Sequence, residues 1–198
     1  TPMGTTVLMF ASDVGIVDVL RSLVERGADV NARAQGGVTA LSRAVGHGRR
    51  ETVEWLVDHG ADINTTRDDG ASLMLLAVDG GHLEVAQLLV EKGVDVNTAS
   101  KEGMSPLFLA AFCGHLDMVR YFAEKGADIE ARHSDGRTPL MVAAMAGHLS
   151  VVQYLAEHGA DLDGKDPDGL TTVELADEYR NQEVVRYLEK QIQEREGP

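Results

Sequence analysis

Three histidines, His82, His115 and His148, recur at intervals of 33 residues. Histidine is the commonest metal ligand and the side chain best placed to move protons near neutral pH. Their spacing argues against a shared ion. Packed helices lie about 8 to 10 Å apart, whereas zinc holds each ligand nitrogen at about 2.0 to 2.1 Å, so histidines at equivalent points of successive units do not converge. They read as structural, and no metal and no cofactor is expected. His59 and His158 each precede a glycine, where a helix ends and a partly positive ring complements its C-terminus. Neither has a catalytic partner in the sequence. Cys113 is the only cysteine, and with no activating base beside it, it reads as a small residue next to a groove rather than a reactive thiol. No phosphate loop, dinucleotide glycine motif or nucleophile elbow is present. The chain therefore reads as a non-enzyme, with no catalytic residue.

The interval shared by those histidines governs the whole chain, and a fixed period of this size marks a stacked-repeat fold. Gly4, Gly37, Gly70, Gly103, Gly136 and Gly169 form one column, followed seven residues later by Ala11, Ala44, Ala77, Ala110, Ala143 and Ala176. Further glycine columns run through Gly15, Gly48, Gly81, Gly114 and Gly147, and through Gly27, Gly60, Gly93, Gly126 and Gly159. Two residues after each opening glycine stands Thr6, Thr39, Ser72, Ser105, Thr138 or Thr171, a hydroxyl suited to cap a helix start. Pro106 and Pro139 follow at the first helical position, where a missing N–H costs nothing. The second glycine breaks this short helix before a second, amphipathic one, whose core column is Leu23, Leu56, Leu89, Phe122, Leu155 and Leu188. Trp55, Tyr121, Tyr154 and Tyr187 share another column of that helix and read as packing. About ten polar, turn-forming residues then lead to the next glycine and predict a hairpin-like loop.

The expected architecture is an all-α repeat solenoid over residues 1–198, a single domain of six helix-turn-helix units at about 1–33, 34–66, 67–99, 100–132, 133–165 and 166–198. One helix pair cannot bury its apolar face alone, so the units must stack. The first and last are expected to act as caps. The sixth has Arg180 in place of its second glycine, and its last helix carries a polar outer face over Leu188–Glu196. Thr1 at the start, without a methionine, suggests a segment of a longer protein.

These columns resemble the ankyrin-repeat family, whose unit follows the pattern Gly-x-Thr-Pro-Leu, Gly-His-Leu and Gly-Ala-Asp-Val-Asn. The likeness covers essentially the whole chain and is clearest in Gly136-Arg137-Thr138-Pro139-Leu140, Gly147-His148-Leu149 and Gly27-Ala28-Asp29-Val30-Asn31. The resemblance implies a curved stack that binds folded proteins or peptides on its concave face, with no enzymatic activity. It also implies that Asn31, Asn64 and Asn97 are candidates for asparaginyl hydroxylation, although turn hydrogen bonding accounts for them equally well. The family's histidine after Thr-Pro-Leu is replaced here by Met9, Ser42, Leu75, Phe108, Met141 and Glu174, so loop alignment is expected to depend more on packing. Repeat two is the most irregular, with Arg43 in an apolar column and Arg49-Arg50 in place of His-Leu.

Residues four apart share a helix face, which places Met104, Phe108 and Phe112 on one stripe, Arg137, Met141 and Met145 on the next, and Ala71, Leu75 and Asp79 on that of repeat three. The loop tips around them are acidic: Asp68, Asp69, Glu102, Asp135 and Asp168. An apolar centre with a charged rim is the anatomy of a protein-binding patch. Candidate partner-binding residues are Met104, Phe112, Met145, Arg137, Asp79, Asp69, Glu102 and Asp135, with Leu170 and Tyr179 extending the surface. Phe108, Met141 and Leu75 fit the core better. Phe112 and Met145 are compatible with binding or with incidental partial burial, and the acidic tips with steering or with plain solvation.

The formal charge of −14 disfavours nucleic acid and anionic membranes, and favours a basic protein or peptide with apolar anchors. No run reaches the roughly 18 apolar residues of a membrane span. A lone cysteine allows no internal disulfide, which suits the cytosol or nucleus. A monomer is expected from the two caps. The expected function is a binding module; the alternative is a structural spacer or scaffold segment of a larger multidomain protein with no specific groove ligand.

Overall fold

The computed structural model describes residues 4–196, and these form twelve α-helices with no β-ladder. The chain divides into two compact units, Thr1–Asp95 and Val96–Pro198. The first holds α1 (Val7–Val14), α2 (Val17–Glu25), α3 (Ala40–Gly46), α4 (Arg50–Asp58), α5 (Leu73–Asp79) and α6 (Leu83–Glu91). The second holds α7 (Pro106–Cys113), α8 (Leu116–Glu124), α9 (Pro139–Ala146), α10 (Leu149–Glu157), α11 (Thr172–Glu178) and α12 (Gln182–Glu196). Helices pair in sequence, and equivalent helices of successive repeats pack together: α1 on α3 and α3 on α5 in one unit, α7 on α9 and α9 on α11 in the other. The expected helix-turn-helix solenoid is the fold.

Each hydroxyl of the cap column accepts a hydrogen bond from the amide three residues on, at Met9, Ser42, Leu75, Phe108, Met141 and Glu174. Such caps contribute about 1 kcal/mol each. The residues that replace the family histidine divide by chemistry. Ser42 and Glu174 return the bond to the cap amide, whereas Met9, Leu75, Phe108 and Met141 are buried.

In the second helices Leu56, Leu89, Phe122, Leu155 and Leu188 have no exposed surface. Burial of such a side chain is worth about 1.5 to 3 kcal/mol. Leu23, the first of that column, is only half-buried. In repeat one several apolar columns are exposed. Val7 is 65% exposed, Phe10 56% and Val19 40%, although Leu73, Leu175 and Val85, their equivalents in later repeats, are buried. Those columns pack toward the preceding repeat, and in repeat one no described residue covers them. At the other end α12 does carry an exposed polar face, with Glu183, Arg186, Glu189 and Lys190. Arg180 adopts φ 61°, so arginine holds the left-handed backbone that glycine supplies elsewhere in the column.

Within each unit the residue after the second glycine position reaches back to the preceding repeat, whereas His115 Nε2 is buried with no hydrogen-bond partner. Arg49 Nε donates to the Asp13 carbonyl at 2.9 Å, His82 Nε2 to Gly46 at 3.1 Å and His148 Nε2 to Phe112 at 3.0 Å. Asn181 donates to the carbonyls of Ala144 and Met145 at 2.8 and 2.7 Å. These donors satisfy carbonyls that a helix C-terminus leaves unpaired. Gly114 shows why glycine stands where the donor of the next repeat arrives: its φ is 75°, and a Cβ there would lie 2.6 Å from His148 Nδ1.

The loops close at their tips as expected of hairpins, with the amides of Ala34, Arg67, Ser100, His133 and Asp166 donating to carbonyls four residues on. Among the described residues they do not extend into strands, and only the isolated bridges Thr66–Ser72 and Lys165–Thr171 form. Side chains tie neighbouring loops instead. Asn31 donates to the Gly60 carbonyl and accepts from the Asp62 amide, and Asn97 does the same with Gly126 and Asp128. These asparagine side chains thus bridge repeats, while the local turn at Asn31 is closed by Asp29, whose carboxylate accepts from the Asn31 amide at 2.9 Å.

Candidate functional site

Met104 ends a loop tip, Phe112 lies in the last turn of α7, and Met145 lies in the last turn of α9. Within the second unit they converge on a cleft of about 190 Å³. Leu109 and Val142, both nearly buried, form its apolar floor beside Phe108, and Phe112 stands 56% exposed at its wall. This stepped burial follows from helix geometry. Leu109 and Val142 occupy the column that packs one first helix against the next, while Phe112 is three residues further along α7 and projects past the contact.

One side of the cleft is polar and organised. The His133 ring stacks on Phe108 with centroids 5.1 Å apart, and its Nδ1 lies 3.0 Å from Asp135 Oδ1. Arg137 Nη1 lies 3.4 Å from Asp135 Oδ2, and its Nε lies 3.8 Å from Asp166 Oδ2. Asp166 is itself buried and anchored by the amides of Asp168 and Leu170 at 3.0 Å each. Burial alone raises the Asp135 carboxyl, but the Arg137 amide, the His133 hydrogen bond and both neighbouring charges outweigh it and hold its pKa below the ordinary value. The rim is therefore an ionised carboxylate and a guanidinium held in fixed positions.

Of the residues singled out in the sequence, Met104, Phe112, Met145, Arg137 and Asp135 line this cleft together. Met141, on the same predicted stripe, is fully buried, in keeping with its better fit to the core. Glu102 lies outside the cleft, its carbonyl accepting from the Ser134 amide at 2.8 Å. Leu170 closes the next loop tip, and Tyr179, 54% exposed, follows α11; neither lines the cleft. Asp69 and Asp79 belong to the first unit, where Asp69 pairs with Arg67 at 3.1 Å and Asp79 ends α5. Sequence reasoning missed His133, Leu109 and Val142 as lining residues. The apolar column held the signal for the last two; for His133, a loop residue, no pattern announced it.

A wider depression of about 640 Å³ lies among Arg120, Glu124, Tyr154 and His158. There the Arg120 guanidinium lies over the Tyr154 ring, 5.2 Å from its centroid, and His158 stacks on the same ring at 3.9 Å, so the aromatic group is already engaged. The smaller cleft is the more apolar of the two. Among the described residues no group of histidine, cysteine or acidic side chains is placed to hold a metal ion.

A sequence model described as ankyrin repeats in three copies matches residues 1–67, 64–133 and 128–195. The chain belongs to the ankyrin-repeat family. No curated protein matches it at a significant level. Ankyrin repeats are generally protein-interaction modules and are typically non-catalytic. Among the described residues, no helix of this ankyrin-repeat chain is long and apolar enough to cross a membrane.

Proposed function

We propose that this chain is a non-catalytic ankyrin adaptor that binds a protein or peptide on the concave face, through the cleft between its fourth and fifth repeats. The observation that carries the reading is the exposed Phe112 ring beside Met104 and Met145 over an apolar floor, bounded by the Arg137–Asp135 pair. An apolar partner side chain entering there removes Phe112 and Met145 from water, and methionine adapts its shape to the anchor. Asp135, with Glu102, Asp168 and the more distant acidic tips, favours basic residues flanking that anchor. The net charge of −14 steers such a partner at long range. Leu170 and Tyr179 extend the contact, and Asp69 and Asp79 form its counterpart in the first unit. The setting is the cytosol or nucleus.

Affinity capture from cytosolic extract compares the wild-type chain with a Phe112→Glu, Met145→Glu double variant of unchanged melting temperature. Partners retained by the wild type and lost by the variant support the reading. Identical captures leave the structural spacer, or a surface elsewhere, as the function.

A further inference from the structure

The apolar cleft has a counterpart of the same construction in the first unit. Val38, Ser42, Arg43, Gly46, Arg67 and Leu76 line a cleft of about 310 Å³, and each stands 66 residues before Met104, Phe108, Leu109, Phe112, His133 and Val142. The backbone framework repeats while the chemistry is inverted. A leucine of the floor becomes Arg43, the stacked histidine becomes Arg67, and both phenylalanines are replaced by the small residues Ser42 and Gly46. His47 joins the lining. We infer that this first-unit cleft is a binding site for a carboxylate, supplied by an acidic side chain of an extended peptide.

Arg43 occupies a column whose members Leu109, Val142 and Leu175 are buried and apolar, so its presence needs a compensating role. Its Nη1 lies 3.2 Å from Asp13 Oδ2, and Arg67 Nη2 lies 3.1 Å from Asp69 Oδ2. Both side chains remain over a third exposed. A guanidinium carries five N–H donors, and one carboxylate contact leaves others for a ligand. Arg33 shows the contrast: it bonds Thr65, the Thr66 carbonyl and Asp68 together, as a purely structural arginine does. The Nε atoms of Arg43 and Arg67 are buried without an acceptor, so neither guanidinium is fully satisfied by the fold. From Val30 to Arg50 the sequence holds four arginines and no acidic residue, in a chain that is otherwise strongly acidic. A singly charged carboxylate suits this balance. A dianionic phosphate would meet stronger repulsion from Asp13 and Asp69.

This inference extends the interaction-module reading to another site, and its test does not involve the apolar cleft. The full chain, labelled with ¹⁵N, is titrated with acetyl-Gly-Glu-Gly-amide while the arginine Nε–H and Gly46 amide signals are followed. Saturable shifts at Arg43, Arg67 and Gly46 are expected, with affinity at least about tenfold weaker for acetyl-Gly-Gln-Gly-amide. Arg43→Leu restores the residue type of its column, and Arg67→Ser copies the equivalent Ser100; each weakens the glutamate peptide by about tenfold. Equal responses to the glutamate and glutamine peptides overturn the inference, as does wild-type affinity in both folded arginine variants. A response confined to acetyl-Gly-Gly-Gly with a free C-terminal carboxylate also overturns it, because the ligand would then be a chain terminus.

Discussion

His148 Nε2 lies 3.0 Å from the carbonyl oxygen of Phe112, so the residue that walls the apolar cleft is held at its backbone by a histidine from the next repeat. A column that looks like metal chemistry in the sequence is, in these repeats, the latch between one first helix and its successor. The latch and the candidate site meet at Phe112. His148→Ala removes the donor and leaves that carbonyl to water, at a cost of about 1 kcal/mol. His148→Asn recovers part of it, since Asn181 serves the same column. Urea unfolding monitored by circular dichroism checks both variants.

Gly114 and Gly126 both have positive φ, 75° and 84°, but differ in surroundings. A Cβ at Gly114 meets the His148 ring at 2.6 Å, whereas one at Gly126 meets nothing within 4 Å. Gly126→Ala therefore carries only backbone strain, about 1 to 2 kcal/mol, and Gly114→Ala carries that strain together with displacement of the latch. The urea midpoint should fall further for Gly114→Ala.

The loop ties are open to hydrogen exchange. Asn31 holds the Asp62 amide at 2.9 Å and the Gly60 carbonyl at 2.9 Å, across a 33-residue repeat. Asn31→Ala is expected to raise exchange at the Asp62 amide selectively and to cost about 1 kcal/mol, with the Asp128 amide, held by Asn97, unaffected.

Asp135 sets the acid dependence of the cleft rim. Its folded pKa is depressed, so it stabilises the fold above the unfolded value, about 3.9, and that contribution is lost as pH falls through the folded value. Asp135→Asn removes that contribution, so it should lower stability at neutral pH, flatten the acid limb below about pH 4 and converge with the wild type at the acid end. Thermal melts from pH 7 down to pH 2.5 measure it.

The fold was legible wherever one residue type answers one local demand. The threonines and serines of the cap column, the prolines after two of them, and the glycines that must turn left-handed each act within a few residues of themselves. Phe112 and Met145 hold equivalent places in successive first helices, which the repeat makes visible, and Met104 joins them in the cleft from the loop before α7. What escaped depends on neighbours distant in sequence. A column shows that Val7, Phe10 and Val19 are apolar, but not what lies against them. Arg43 looks like a defect until Asp13, thirty residues away, appears at 3.2 Å. His133 enters the cleft because the loop tip folds it onto Phe108, which no periodicity encodes.

The most direct test uses the methionine methyl groups. With ¹³C-methyl labelling, the partner recovered by affinity capture is titrated onto the chain. The account predicts shifts at Met104 and Met145 that disappear in Phe112→Glu, while the buried Met9, Met74 and Met118 stay in place. A partner that binds saturably and leaves the Met104 and Met145 methyls unmoved would contradict it.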